Sequence, residues 1–107
     1  MNTMKILKLT LKKKWFDLIL SGEKKEEYRE KKDYWITRLC DFDKCLQTNS
    51  YNHFKHFDAV QFTNGYSATS PTFVIECKGI EIAKGKTHWG AEPHEKYFVI
   101  KLGKIIQ

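Results

Sequence analysis

Gly79 interrupts the longest strand-like segment of the sequence, Pro71–Ala83. A glycine inside a strand is typical of a bulge or a sharp bend, and such a bend curls a sheet on itself. Two further segments, Asp58–Thr63 and Tyr97–Leu102, alternate apolar and polar side chains as strands do. The pair Asn64-Gly65, which follows the first of them, is a tight-turn signal. The second half of the chain therefore predicts a small β-barrel, closed or nearly closed.

The first half of the chain predicts two more strands and a helix between them. Met4–Thr10 alternates around leucines, and we expect it to be a strand inside the sheet. Lys12–Ser21 predicts an amphipathic helix because its apolar residues recur at helical spacing, and Gly22 is a left-handed stop. Residues 24–30 then predict a short strand, because a helix that ends at Gly22 does not continue into them.

The middle of the chain predicts less regular structure. Asp33–Leu39 has the pattern of a short helix that Asp33 caps. Residues 41–56 are polar and rich in Asn, Asp and His, which favours a loop or an irregular helical insertion. The whole pattern predicts one α+β domain over residues 1–107, with about five strands, an amphipathic helix near the N-terminus and a short second helix.

Composition excludes several classes of protein. A chain of 107 residues that is 41% apolar and 14% aromatic packs a core, so it is not disordered throughout. No apolar run approaches the roughly 18 to 20 residues of a membrane-spanning helix, and we expect no membrane partner. Residues 1–11 lack a signal-peptide pattern, and three cysteines cannot all pair. We therefore expect a cytoplasmic protein whose thiols stay reduced.

The net charge of +6 is concentrated in the first third of the chain. Residues 1–38 hold eleven basic and six acidic residues, whereas residues 39–107 hold eight and seven. This asymmetry predicts a positive face, which attracts polyanions such as nucleic acid. Most of the cations are lysines, and solubility alone also accounts for surface lysine.

The segment Gly22–Arg29 has the form G-x-K-x-x-E-x-R and carries the strongest site hypothesis. Alternation along a strand places Glu27 and Arg29 on one face. Lys24 follows the turn, where we expect its ammonium to swing over a cleft and meet a phosphate or a base. Arg29 offers a planar fork for the same groups, which Glu27 can orient. The alternative is a surface cluster of salt bridges without function, worth about 0 to 1 kcal/mol per pair.

Three further residues are candidates near the cleft. Tyr66, with Asn64 beside it, can stack a base at the mouth of the barrel, or it can simply cover the barrel end. Arg38 is one of only two arginines, and the position favours a helix-end cation. Trp89 favours a loop anchor packed on the core.

Metal and cofactor sites receive little support from the sequence. Cys40, Cys45, His53 and His56 fall within seventeen residues, but their spacing matches no common zinc site, and we predict no metal. No P-loop, dinucleotide fingerprint or nucleophile elbow is present, so we expect no cofactor.

The motif and its surroundings resemble the ASCH family of the PUA-like superfamily. The G-x-K-x-x-E-x-R pattern is the signature of that family. The resemblance extends over nearly the whole chain, through Leu9-Thr10-Leu11 and Trp15-Phe16, Ser21-Gly22, Tyr34-Trp35, Phe62-Thr63-Asn64-Gly65-Tyr66, Glu76-Cys77-Lys78-Gly79-Ile80 and Trp89-Gly90. It implies a PUA-like β-barrel with a cleft that the motif lines and that binds RNA or nucleosides.

The resemblance also implies two enzymatic alternatives. One branch of the family resembles an amidohydrolase that removes the acetyl group of N4-acetylcytidine with a lysine, a threonine and a distant glutamate. Lys24 matches the lysine, but Glu27 stands where the threonine is needed, and no downstream acid can be matched. Another branch cleaves RNA, for which Glu27 with Lys24 or Arg29 supplies a base and a cation.

Three functional hypotheses follow from these patterns. The first is a binding module for RNA or a nucleotide, with a cleft built by Lys24, Glu27, Arg29, Asn64 and Tyr66. The second is a small hydrolase of an acylated nucleoside, or a ribonuclease, in which Lys24 and Glu27 are catalytic. The third is a protein-interaction domain whose basic face meets an acidic partner.

Overall fold

The computed structural model describes residues 3–50 and 52–107. Its strands are β1 Ile6–Leu11, β2 Glu26–Arg29, β3 Ala59–Asn64, β4 Thr72–Lys84 and β5 Lys96–Ile105. Its α-helices are α1 Lys13–Leu20, α2 Asp33–Leu39 and α3 Phe42–Thr48, and a single 3-10 turn spans Thr87–Trp89. The predicted strands and the first two helices are confirmed, with bounds that shift by a few residues.

The five strands form one sheet in the order β1-β3-β4-β5-β2. β1 runs parallel to β3, and the other neighbours are antiparallel. The sheet curls into a half-barrel, so the predicted α+β class is confirmed and the barrel is open rather than closed. β1 and β2 lie at the two edges of the sheet.

The position of β1 corrects the prediction that it lies inside the sheet. Leu7, Leu9 and Leu11 are buried and alternate with more exposed residues. Their side chains point into the core from one face of the sheet. Burial of that face does not depend on a second neighbouring strand, so β1 can be an edge strand. An apolar alternating strand is thus compatible with an edge as well as with the sheet interior.

The predicted irregularity at Gly79 is confirmed. Gly79 has a φ of +135°, and the pairing of β4 with β5 shifts register between Ile75 and Cys77 and again between Cys77 and Gly79. A β-bulge bends its strand and increases the local twist. The long β4 can therefore curl and still pair with β3 at one end and β5 along most of its length.

Residues 41–56, where the sequence favours a loop or an irregular helical insertion, contain the regular helix α3. Asp41 caps α3, because its carboxylate accepts a 3.3 Å hydrogen bond from the Lys44 N–H, and Asn49 ends the helix at φ +53°. In α2, the predicted cap Asp33 is instead the first helical residue and Lys32 precedes the helix. A carboxylate in the first turn still interacts favourably with the helix dipole.

The main core lies between one face of the sheet and the helices. Phe16 and Ile19 of α1 are buried, and the Phe16 ring packs edge-on against Phe73 at 4.9 Å between centroids. Each fully buried side chain of this size contributes about 1.5 to 3 kcal/mol. This packing fixes the end of α1, which leads directly into the G-x-K-x-x-E-x-R segment.

Candidate functional site

The turn after α1 sets the direction of the motif. Gly22 has a φ of +86°, a left-handed conformation that ends the helix. The N–H groups of Glu23 and Lys24 both donate to the carbonyl of Leu18, at 3.1 and 3.0 Å. The chain therefore turns back on α1, and the Lys24 side chain enters the protein instead of leaving it.

Lys24 is buried, which corrects the prediction that its ammonium swings over a cleft. The residue is 2% exposed, and its Nζ lies 2.5 Å from Glu27 Oε1. The same Nζ lies 4.7 Å from the centroid of the Trp15 ring and 5.7 Å from that of Tyr28. Two aromatic faces and one carboxylate thus replace the water that a lysine normally keeps.

Glu27 connects two cations. It is 4% exposed, and its neighbours across the sheet are in β5, where it pairs with Ile100. Its Oε1 accepts from Lys24, and its Oε2 accepts from Nη1 of Arg29. The predicted placement of Glu27 and Arg29 on one face is confirmed. The burial of Lys24 and Glu27 contradicts the alternative of a solvated surface cluster, because exposed pairs keep most of their hydration.

Arg29 is fixed by four groups. Besides its ion pair with Glu27, Nη1 donates to the carbonyl of Tyr28 at 3.1 Å, and Nη2 donates to the carbonyl of Thr10 at 3.2 Å. Its guanidinium carbon lies 5.0 Å from the centroid of the Trp35 ring. The side chain is 16% exposed. The guanidinium is thus held in one orientation, with only part of its surface open to solvent.

Burial perturbs two titratable groups of this cluster. Burial lowers the pKa of Lys24, while the Glu27 carboxylate opposes that shift. Burial also raises the pKa of the Tyr28 hydroxyl. That hydroxyl donates to Glu26 at 2.8 Å and accepts from the Lys86 N–H at 2.9 Å, so it is neutral and engaged on both sides.

A cleft of about 860 Å³ opens beside this cluster. Glu27 and Arg29 line it, whereas Lys24 lies behind them and is not among the lining residues. Aromatic rings and cations dominate the remaining wall: Trp15, Tyr34, Trp35 and Tyr66, with Lys8, Lys12, Lys13 and Arg38. The cleft therefore combines five cations, one carboxylate and four aromatic side chains, and its charge is positive.

Asn64 and Tyr66 are distant from the motif in the sequence, yet both line the cleft. Asn64 is the last residue of β3, and the N–H of Gly65 donates to the carbonyl of Leu11 at 3.2 Å. Tyr66 is 95% exposed, so it does not cover the end of the sheet by packing. Its ring is accessible for stacking, which remains the prediction for this residue.

Arg38 lies in the last turn of α2, as predicted, and also lines the cleft. Its guanidinium carbon lies 5.5 Å from the Tyr34 ring centroid and 5.9 Å from that of Trp35. Both arginines therefore approach the Trp35 ring. Trp15 and Trp35 pack against the core and also line the cleft, a second role for which the sequence pattern gives no prediction. The run of lysines immediately before Trp15 was a signal for a basic surface with an aromatic ring in it.

Trp89 belongs to the structural support of the site. It is half-buried and packs against the cluster of Tyr28, Ala91 and Val99. This contact confirms the prediction that Trp89 anchors a loop. Gly90 follows with a φ of +103°, and a Cβ at this position would lie 2.9 Å from Cζ2 of Trp15. The loop therefore presses on the ring that covers Lys24.

Of the four residues considered for zinc, the thiols of Cys40 and Cys45 lie close together. Cys45 donates from Sγ to the carbonyl of His53 at 3.4 Å, and His56 Nε2 lies 2.8 Å from Asp58. Within residues 3–50 and 52–107, no group of three or more His, Cys, Asp or Glu side chains has the proximity that a metal ion needs. Burial raises the pKa of the Cys40 thiol, which favours the protonated form over the metal-binding thiolate.

No protein-family model, curated protein or solved structure matches this chain. None of the helices in the described part of the chain has the length and apolar character needed to cross a bilayer.

Proposed function

We propose that the cleft binds RNA or a nucleotide, and that the chain is a PUA-like domain of the ASCH family. The observation that carries this proposal is the guanidinium of Arg29, which Glu27 and two carbonyls hold against the Trp35 ring inside a positively charged cleft. A fixed planar fork matches a phosphate or a base edge better than a mobile lysine does.

The aromatic side chains of the cleft supply the second requirement of a nucleotide site. Trp15, Trp35 and Tyr34 line the cleft beside the cations, and Tyr66 is exposed at its rim. Stacking of a base on such a ring contributes about 1 to 3 kcal/mol. Lysines along the same wall provide phosphate contacts that are independent of sequence. An acidic protein partner would use the cations but would give the rings no comparable role.

Arg29 supplies the direct test. Fluorescence anisotropy with a labelled oligouridylate, measured over a range of salt concentrations, compares wild type with Arg29→Ala. We expect affinity to fall with rising salt and to fall at least tenfold in the variant. Lys84→Ala removes an exposed lysine of β4 that does not line the cleft, and it serves as the control for charge alone. Affinity that is insensitive to salt, or equal in Arg29→Ala and wild type, contradicts the proposal.

A hydrolase of an acylated nucleoside is the second candidate, and the burial of Lys24 is the observation that favours it. A lysine acts as a base only in its neutral form, and burial lowers the pKa of Lys24 toward that form. In the reaction, water attacks the acetyl carbonyl and Lys24 accepts its proton. As the amide C–N bond breaks, Lys24 returns this proton to the leaving nitrogen, which yields the amine of cytidine and acetic acid, and the acid ionises to acetate in solution.

The geometry supports binding more directly than this reaction. The Lys24 side chain is 1% exposed, and both oxygens of Glu27 already accept from cations. Incubation with N4-acetylcytidine, followed by chromatography for cytidine, tests the hydrolase, and the same assay with an oligoribonucleotide tests RNA cleavage. Product formation by wild type that is absent in Lys24→Met supports an enzyme. An inert wild type at high protein concentration contradicts it.

A further inference from the structure

A second hollow lies beside the cleft and shares two cations with it. This second hollow has a volume of about 430 Å³ and is lined by Lys8, Arg38 and Lys55 together with Ile6, Leu7, Thr37 and Phe57. Lys8 and Arg38 line the cleft as well. The two depressions therefore form one path over the surface, with Lys8 and Arg38 at the junction.

The charge of the second hollow continues that of the cleft. Three of its lining residues are cations, and none is a carboxylate. Lys55 is exposed, yet its ammonium is positioned, because Nζ donates to the carbonyl of Thr37 in α2 at 3.0 Å. Half-buried Phe57 adds an aromatic ring to the lining. Positive charge that tracks a groove, with rings along it, is the arrangement that binds single-stranded nucleic acid.

A free nucleotide does not account for this continuation. The cleft alone, at about 860 Å³, is within the range of about 300 to 1,000 Å³ typical of small-ligand sites. A ligand confined to the cleft would leave Lys55 without a role in binding. A chain with several phosphates would instead place one near Lys8 and Arg38 and a later one near Lys55.

We propose that the ligand is a single-stranded oligonucleotide that runs from the cleft over Lys8 and Arg38 to Lys55. This inference rests on the proposed function and specifies its ligand as a polymer rather than a free nucleotide. Lys55 lies outside the cleft, so it contributes to binding only when the strand is long enough to reach the second hollow.

The test measures affinity as a function of ligand length. The probes are uridine 5′-monophosphate and uridylates of two, four and six nucleotides, with a deoxythymidylate hexamer to distinguish RNA from DNA. The proteins are wild type, Lys55→Gln and Lys84→Ala. Gln retains a donor for the Thr37 carbonyl and removes the charge, and circular dichroism verifies that each variant is folded.

We expect wild-type affinity to rise at least tenfold from the monophosphate to the hexamer. Lys55→Gln should weaken hexamer binding about three- to tenfold, leave monophosphate binding unchanged, and reduce the slope of log affinity against log salt by about 0.7, the value for one phosphate contact on a single strand. Lys84→Ala should match wild type with every probe. Tighter binding of either the uridylate or the deoxythymidylate hexamer is consistent with the proposed path. The preferred hexamer shows whether the ligand is RNA or DNA.

Two kinds of result would overturn the proposed path. The first leaves the proposed nucleotide-binding function intact, and the second overturns that function as well. If the monophosphate binds as tightly as the hexamer, or Lys55→Gln binds the hexamer like wild type, the path is wrong and the nucleotide cleft stands. If neither the monophosphate nor any oligomer binds, the proposed function fails together with the path.

Discussion

Arg29 of β2 donates a 3.2 Å hydrogen bond to the carbonyl of Thr10 in β1 and so connects the two edge strands of the curled sheet. The same guanidinium pairs with Glu27, which pairs in turn with buried Lys24. The residue that we propose for ligand binding is therefore also a structural link across the opening of the half-barrel. Its orientation is determined by the protein before any ligand arrives.

Glu27→Gln should destabilise the protein by about 3 to 5 kcal/mol. Gln keeps the size of the side chain but leaves the Lys24 ammonium buried without its carboxylate, and breaking a buried pair carries a cost of this order. Urea unfolding followed by circular dichroism measures the change. The double variant Lys24→Met with Glu27→Gln should recover part of the loss, because Met removes the buried charge. A loss below about 1 kcal/mol in the single variant would mean that the pair behaves like an exposed one.

Trp35→Leu should weaken oligouridylate binding by about 1 to 3 kcal/mol, because it removes a ring that we propose stacks a base and that lies against the Arg29 guanidinium. Trp89→Leu is the matched control, since Trp89 packs in the supporting cluster and does not line the cleft. We expect that control to lower the melting temperature and to keep the affinity of wild type. Equal losses of affinity in the two variants would argue against Trp35 as a ligand contact.

Tyr28→Phe should reduce the loss of stability at alkaline pH. The folded-state pKa of Tyr28 is raised above the ordinary value of 10.0, so the folded protein keeps a proton that the unfolded chain releases. This contribution is complete below pH 10.0 and is lost as the pH rises toward the folded-state pKa. The difference in unfolding free energy between wild type and variant should therefore shrink above that pH, by at most about 1.4 kcal/mol per pH unit. A constant difference would show that Tyr28 titrates normally.

Gly90→Ala should destabilise the protein more than Gly22→Ala does. Both glycines have positive φ, so alanine is strained by roughly 1 to 2 kcal/mol at either position. At Gly22 the added Cβ meets nothing within 4 Å, whereas at Gly90 it would lie 2.9 Å from Trp15. Thermal unfolding measures the stability of both variants. The larger loss of stability in Gly90→Ala than in Gly22→Ala reports the contact with the Trp15 ring, which lies over Lys24. Equal losses in the two variants would mean that the loop moves aside without cost.

Short-range pattern was sufficient for much of the site. The apolar spacing of α1 and the glycine after it predicted where the helix ends, and strand alternation predicted that Glu27 and Arg29 share a face. These properties depend on a few neighbouring residues and on backbone geometry, which a local window of sequence contains. The irregularity of β4 at Gly79 could be predicted for the same reason, because a glycine within a strand is a local signal.

Tertiary structure decided how deep each side chain lies. Nothing near Lys24 in the sequence indicates that Trp15 and Tyr28 enclose it, or that the loop at Gly90 presses on Trp15. The edge position of β1 and the approach of Arg29 to Thr10 likewise depend on how the sheet curls. Residue order alone determined the chemistry that is present and the local direction of the chain. Burial, and with it the strength of each charge, arose only when distant segments packed together and removed water.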